Sequence, residues 1–92
     1  SVTLQWNWQG RLGPDDYFDV RVWRPGQEHL GVTWTKGATY ELAITRLEPR
    51  LAQPTTQGTY YWSVAVVRGK GGKVEKELTG ESEARVFYWQ TQ

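Results

Sequence analysis

The chain has 92 residues, a formal net charge of +1 and no cysteine, and it carries six tryptophans, five tyrosines and two phenylalanines. A chain of this length forms one domain, and without cysteine it has no disulfides or thiolate metal sites, so aromatic packing must supply the core. Charges of both signs alternate along the chain, which disfavours nucleic acid as a partner, and no apolar run is long enough for direct membrane insertion. We therefore expect residues 1–92 to be a single domain that forms part of a longer protein.

The first two apolar runs have the period of two that is typical of β-strands. In the run VTLQWNW, one face carries Val2, Leu4, Trp6 and Trp8. A turn rich in glycine and aspartate follows at residues 10–16. In the next run, DYFDVRVWRP, the apolar face carries Phe18, Val20 and Val22, and the opposite face carries Tyr17, Asp19, Arg21 and Trp23. Both runs predict strands with one buried side.

Two weaker runs continue the pattern up to a proline-containing connection. The run HLGVTWT aligns Leu30, Val32 and Trp34, and the run TYELAITRL aligns Tyr40, Leu42 and Ile44. Leu47 is out of phase with the latter run, which predicts a bend or bulge near Arg46. Prolines at positions 49 and 54 predict that residues 47–58 form a loop that crosses between two sheets.

The last third of the chain predicts a central strand, a long hairpin and a closing strand. The run GTYYWSVAVVRG is apolar on both faces, with Tyr60, Trp62, Val64 and Val66 alternating with Tyr61, Ser63, Ala65 and Val67. Residues 68–83 are rich in glycine and charge, so they predict a solvated hairpin that Val74 and Leu78 could extend into the ladder. The run SEARVFYW predicts a last strand with Phe87 and Trp89 inward and Val86 and Tyr88 outward.

The order of these motifs resembles a fibronectin type III domain, which is an all-β, immunoglobulin-like antiparallel sandwich of about seven strands. Trp6 in VTLQW lies where that family has a tryptophan in an early strand, and DVRVWR resembles the family's third strand. Leu47 and Pro49 ahead of Gly58-Thr59-Tyr60 resemble the corner in which a tyrosine hydroxyl binds the preceding backbone. The loop is longer than in the family, so Tyr60 and Tyr61 both remain candidates for this role, and the phase with Trp62 favours Tyr60.

The resemblance has a narrower form that bears on location. The pair GTYYW and SEARVFYW is similar to fibronectin-type modules of bacterial surface and secreted proteins, which implies an extracytoplasmic location. The sequence at positions 68–70 is Arg-Gly-Lys and not Arg-Gly-Asp, so the integrin-type adhesion known in the family is not implied here.

No group of residues predicts an active site, a cofactor site or a metal site. His29 is the sole histidine and follows a Pro-Gly turn, so a catalytic triad or a transition-metal cluster has no evident partners. Asp15, Asp16 and Asp19 lack the ligand spacing of a calcium loop, and the glycines of residues 69–73 lack the spacing of a phosphate loop. We therefore expect a protein that is not an enzyme and binds neither cofactor nor metal.

The outward face of the central strands is the feature that most suggests a function. It carries the apolar residues Tyr17, Trp23, Tyr61, Val67, Val86 and Tyr88, where a solvated sheet normally has polar side chains. We interpret this set as a candidate docking face. The alternative is that the stems of Arg21 and Arg85 cover the rings and make an ordinary cross-strand ladder.

These observations lead to one expected function and one rival. We expect a non-catalytic structural or interaction module that spaces or docks neighbouring domains of a bacterial envelope or secreted protein. The rival is a carbohydrate-binding module in which Trp23, Trp34 and Tyr88 stack on sugar rings. Nucleic-acid binding through residues 70–76 is disfavoured because glutamates interrupt the lysines there.

The corner residue can be identified by removing single hydroxyl groups. If the Tyr60 hydroxyl binds the backbone of the preceding loop, Tyr60→Phe should lower the free energy of unfolding by about 1 kcal/mol. Tyr61→Phe should leave it nearly unchanged. Chemical denaturation of both variants measures the difference, and a larger loss for Tyr61→Phe would assign the corner to Tyr61 instead.

Overall fold

The computed structural model describes residues 2–44 and 57–90, with the side chains of residues 57, 89 and 90 left aside. These residues form strands β1 (Val2–Gln5), β2 (Asp16–Trp23), β3 (Leu30–Thr35), β4 (Thr39–Leu42), β5 (Gln57–Lys70), β6 (Lys73–Glu77) and β7 (Arg85–Gln90). None of the described residues belongs to a helix with the length and hydropathy that a membrane span requires. The structure confirms an all-β fold, with seven strands in the described part of the chain.

All strand pairs are antiparallel, and they form two sheets. β1 pairs with β4 in a two-stranded sheet. The second sheet has five strands in the order β3-β2-β5-β6, and β7 also pairs with β5. β5 is therefore the central strand, as its two apolar faces predict.

The two sheets enclose one hydrophobic core. Its buried members are Leu4, Phe18, Val20, Val22, Leu42, Ile44, Tyr60, Trp62, Val64 and Val66. Tyr60 is completely buried in this core, whereas Tyr61 is half-buried on the opposite face of β5. This confirms the predicted phase of β2 and β5. The bend near Arg46 and the corner residues Leu47 and Pro49 lie outside the described residues.

On the edge of β5 that faces away from β2, the backbone N–H and C=O groups have unusual hydrogen-bond partners. β7 pairs with residues 57–62 and β6 with residues 67–70, which leaves the middle of that edge between them. Here the N–H groups of Leu78 and Ser82 donate to the carbonyls of Val66 and Val64 at 2.8 Å. In return, the N–H groups of Val66 and Val64 donate to Thr79 Oγ1 and Ser82 Oγ at 2.9 Å. Two hydroxyl groups thus stand in for backbone carbonyls.

The predicted solvated hairpin is confirmed for residues 68–77, where Val74 extends the ladder opposite Gly69, and is corrected for residues 78–83. β6 and its turn are exposed, and Gly71 and Gly72 have φ angles of 60° and 79°, as a two-residue hairpin turn of the I′ type requires. Leu78, however, packs against the core. The charged sequence around Leu78 concealed this contact, because a single apolar residue has no periodicity.

Trp34 lies on the outer face and not beside Leu30 and Val32 as the sequence predicts. The register between β2 and β3 shifts between Val20 and Arg21, so a bulge breaks the alternation of β3. Trp34 pairs with Asp19 and stacks on Tyr17, with ring centroids 5.4 Å apart. Gly69 makes room for the indole, because a Cβ atom there would lie 2.4 Å from the ring.

β1 and β7 are shorter than their apolar runs. β1 ends at Gln5, and beyond it the N–H of Trp6 still donates to the Ala38 carbonyl at 3.0 Å. Trp8 was expected in the core but is 42% exposed, with its ring edge-on to Phe18. β7 begins at Arg85, whereas the predicted run SEARVFYW begins at Ser82.

The turn between β1 and β2 is closed by Lys36. Its Nζ donates to the carbonyls of Gly13, Pro14 and Asp16 at 2.9, 2.8 and 2.7 Å. The same ammonium lies 4.3 Å from the centroid of the Tyr17 ring. Asp16 completes the turn by accepting hydrogen bonds from Gly13 N and Arg68 Nε. The positive charge that the carbonyls of this turn bind is therefore that of the Lys36 side chain.

The hydroxyl bonds on β5 can be tested with a near-isosteric change. Thr79→Val leaves the N–H of Val66 buried without its acceptor, so the free energy of unfolding should fall by about 1–3 kcal/mol. Hydrogen exchange at Val66 should accelerate with it. Thr39→Val, at an exposed position of β4, is the matched control and should change stability by less than about 0.5 kcal/mol. Equal effects at both positions would show that Thr79 Oγ1 has no special role.

Candidate docking face and edge cavity

The structure places all members of the candidate docking face on one side of the five-stranded sheet. Tyr17 pairs with Val67, and Trp23 pairs with Tyr61, which in turn pairs with Val86. Their exposure differs greatly. Val86 and Tyr88 are each 61% exposed, whereas Trp23 and Val67 are 8% and 0% exposed. The accessible apolar part of the face is therefore at β7, an edge strand.

Trp23 is covered by His29, for which the sequence predicts no partner. The His29 imidazole stacks on the indole with ring centroids 3.5 Å apart and planes 12° from parallel. Its Nδ1 lies 3.0 Å from Glu81 Oε1, which holds the ring in place. Tyr61 also stacks on Trp23, at 6.0 Å. His29 is thus more than a solvated turn residue, since it closes one end of the face.

An ion-pair network divides the face into two aromatic parts. Arg21 lies between Asp19 and Trp23 on the same face of β2. Its guanidinium binds three carboxylates. These are Asp19 at 3.2 Å, Glu77 at 2.6 Å and Glu81 at 2.9 Å. The Tyr17–Trp34 pair lies on one side of this network and the Trp23–Tyr61 pair on the other. Arg21 therefore separates the two ring pairs through its contacts with carboxylates.

The network shifts the proton affinities of its members. Burial raises the pKa of Asp19 above its ordinary value, although Arg21 acts in the opposite direction. Burial alone would lower the pKa of Arg21, but hydrogen bonds to Glu81 and Glu77 outweigh it and raise that pKa. Burial likewise works against the ionised form of Glu81, yet hydrogen bonds from His29 and Arg21 lower the Glu81 pKa overall. Glu81 thus contributes to stability in its ionised form.

The residues predicted to stack on sugars do not form one platform. Trp34 is stacked on Tyr17 beyond the Arg21 network, and Trp23 lies beneath His29. Tyr88 is exposed on β7. Of the three rings, Tyr88 is therefore exposed, Trp34 is half-buried and Trp23 is buried.

A cavity that the sequence analysis missed lies at an open side of the core. Its volume is about 290 Å³. Residues that follow β1 form one wall, residues of the β6–β7 connection and Arg85 form another, and inward side chains of β2 and β5 form the floor. The aromatic members are Trp6, Trp8, Phe18 and Trp62. The one sign of this cavity in the sequence is that the first apolar run continues to Trp8, whereas β1 ends at Gln5.

Few polar groups line this cavity. Arg85 is exposed, and its guanidinium carbon lies 5.6 Å from the centroid of the Trp62 ring. Trp6 packs edge-on against Phe18 at 5.4 Å, and its buried Nε1 has no hydrogen-bond partner among the described residues. Asn7, Thr79 and Ser82 also line it, and the two hydroxyl groups already bind β5. The cavity thus combines aromatic walls with one cation.

Comparisons of this chain with protein-family models, with curated proteins and with solved structures find no match. In the part of the chain that the structure describes, no group of three or more acidic or histidine side chains is arranged to hold a metal ion.

The role of Glu81 predicts a pH-dependent effect. Its folded pKa lies below the ordinary value of 4.5, so the ionised group stabilises the fold above pH 4.5, and this contribution is lost as the pH falls through the folded pKa. Glu81→Gln should therefore lower the free energy of unfolding by about 0.5–1 kcal/mol at pH 7 and by progressively less in acid. Glu83→Gln, on an exposed residue, is the control for lost charge. A deficit for Glu81→Gln that persists unchanged in acid would contradict this role.

Proposed function

We propose that this domain is a non-catalytic interaction module that docks a neighbouring protein domain through the outer side of β7. The residues proposed for contact are Tyr61, Val86 and Tyr88. Trp23 and Val67 support them from within the sheet, and Tyr17 belongs to the separate aromatic pair beyond Arg21. The domain acts by presenting a rigid apolar surface, so it needs no cofactor.

The observation that carries this proposal is the exposure of two large apolar side chains next to each other. Val86 and Tyr88 are each 61% exposed and lie on the same face of an edge strand. Outward positions of a solvated sheet are normally polar, and clustered apolar exposure marks contact sites. Tyr61 extends the cluster toward the covered Trp23. Aromatic residues of this kind are frequent at the centres of protein interfaces.

We further propose that the fold is of the fibronectin type III kind. Support comes from the sheet order, in which β1 and β4 form one sheet and β3, β2, β5 and β7 follow one another in the second. The packing of Trp6 on Phe18 and the burial of Tyr60 also agree with the resemblance. A role in a bacterial envelope or secreted protein rests on the sequence resemblance alone.

Two variants of β7 and one of β6 test the docking surface. Val86→Ser and Tyr88→Ser remove exposed apolar groups, so the isolated domain should keep its stability within about 0.5 kcal/mol. Val74→Ser is the matched control, because Val74 is 50% exposed on β6, away from the proposed surface. Affinity for the polypeptide segments that adjoin residues 1–92 in the parent protein is measured by NMR titration. The β7 variants should weaken it about tenfold or more, and Val74→Ser should not.

The same titration distinguishes the rival functions. Binding that is unchanged in both β7 variants would refute the docking surface. Saturable shifts at Tyr88 with soluble glucans or chitin oligosaccharides would favour the carbohydrate-binding alternative instead. Trp23→Ala should unfold the domain or cost about 3 kcal/mol or more, since this ring is buried, so its loss of binding would be uninformative.

A further inference from the structure

The outer edge of β1, on the other sheet, has no strand partner among the described residues. β1 pairs with β4 through Val2–Leu42, Thr3–Glu41, Leu4–Tyr40 and Gln5–Thr39. The N–H of Trp6 continues the ladder to Ala38, so residues of even number direct their backbone groups toward β4. By alternation, the N–H and C=O groups of Thr3 and Gln5 point to the opposite edge. No strand of the described residues pairs with that edge.

The edge lacks several of the features that normally prevent strand addition, although β1 is short, with four residues. β1 has the sequence VTLQ, without charge, proline or bulge. Among the described residues its sheet has two strands and the facing sheet has five, so part of the inner face of the larger sheet has no opposing strand in this part of the chain. The aromatic cavity lies there, between residues 6–8 and residues 79–85.

We infer that an additional extended peptide strand binds at this edge and cavity. It pairs with Thr3 and Gln5 and places apolar side chains over Trp6, Trp8 and Trp62. The strand carries a carboxylate opposite Arg85. This inference does not depend on the docking surface at β7, since it concerns the other sheet.

The charge of Arg85 indicates which kind of peptide strand would bind here. Arg85 lines the cavity and also a second depression bounded by Gln5, Trp6, Asn7, Ala38 and Thr39. No carboxylate of the described residues forms an ion pair with it. A side chain of opposite charge on the added strand would occupy this position. A second copy of the chain fits less well, because the VTLQ edge that it would present has no acidic residue.

The experiment is an NMR titration of the 92-residue domain with synthetic peptides. The probe is an acetylated octapeptide of alternating valine and threonine in which the threonine at position 4 is replaced by glutamate. The first control has lysine in place of the glutamate, and the second is the glutamate peptide with N-methyl groups on its pairing edge. The glutamate peptide should shift and protect the amides of Thr3 and Gln5, and bind about tenfold more tightly than the lysine peptide.

Arg85→Glu provides the charge-reversed domain. Arg85 is exposed, so the variant should fold normally, and it should prefer the lysine peptide. Reversal of the preference with loss of binding by the N-methylated peptide would support the inference. Absence of shifts at Thr3 and Gln5 with millimolar peptide would overturn it, as would shifts at these amides that arise from self-association of the domain alone. Shifts there with chitin oligosaccharides but not with peptides would overturn it in favour of a sugar site.

Discussion

The hydrogen-bonding demand of β5 governs the arrangement of the larger sheet. A strand of 14 residues exposes donors and acceptors along two edges, and its buried residues have no water to satisfy them. β2 covers one edge over residues 61–68. The other edge needs β7, β6 and, between them, the hydroxyls of Thr79 and Ser82. The β6–β7 connection is consequently held against the sheet, and this brings Glu77 and Glu81 to Arg21 and forms one wall of the cavity.

The outer face shows how one sheet can serve stability and recognition at different positions. Near its centre, Arg21 and its carboxylates cover small buried residues of β5, Ser63 and Ala65. At β7 no such cover exists among the described residues, and the apolar side chains meet solvent. A charged network near an apolar strip also limits the partners that can dock there. A partner that docks there must either leave the ion pairs in contact with water or provide charged groups that pair with them. Removing water from the ion pairs without such compensation costs free energy.

Strand phase was predictable from sequence because it depends on local alternation. The inward positions of β2 and β5, and hence the burial of Tyr60, follow from a period of two. Features that depend on distant partners were not predictable. The burial of Trp23 needs His29, and the outward turn of Trp34 needs a bulge in β3 and a glycine at position 69. The cavity depends on how far β1 extends, which the apolar run overstated. The candidate face was therefore predicted as a set of positions, but not as an exposed surface.

The ammonium of Lys36 gives the β1–β2 turn a cation that is built into the chain. A turn whose carbonyls converge on a dissolved metal ion loses order in the presence of a chelator, whereas this turn retains its cation in any medium. Its vulnerability is chemical instead. Acetylation of the amine would remove the positive charge and leave one N–H to serve three carbonyls and the Tyr17 ring. One acyl group would thus release a turn that chelation cannot affect, and with it the anchor of the Tyr17–Trp34 pair.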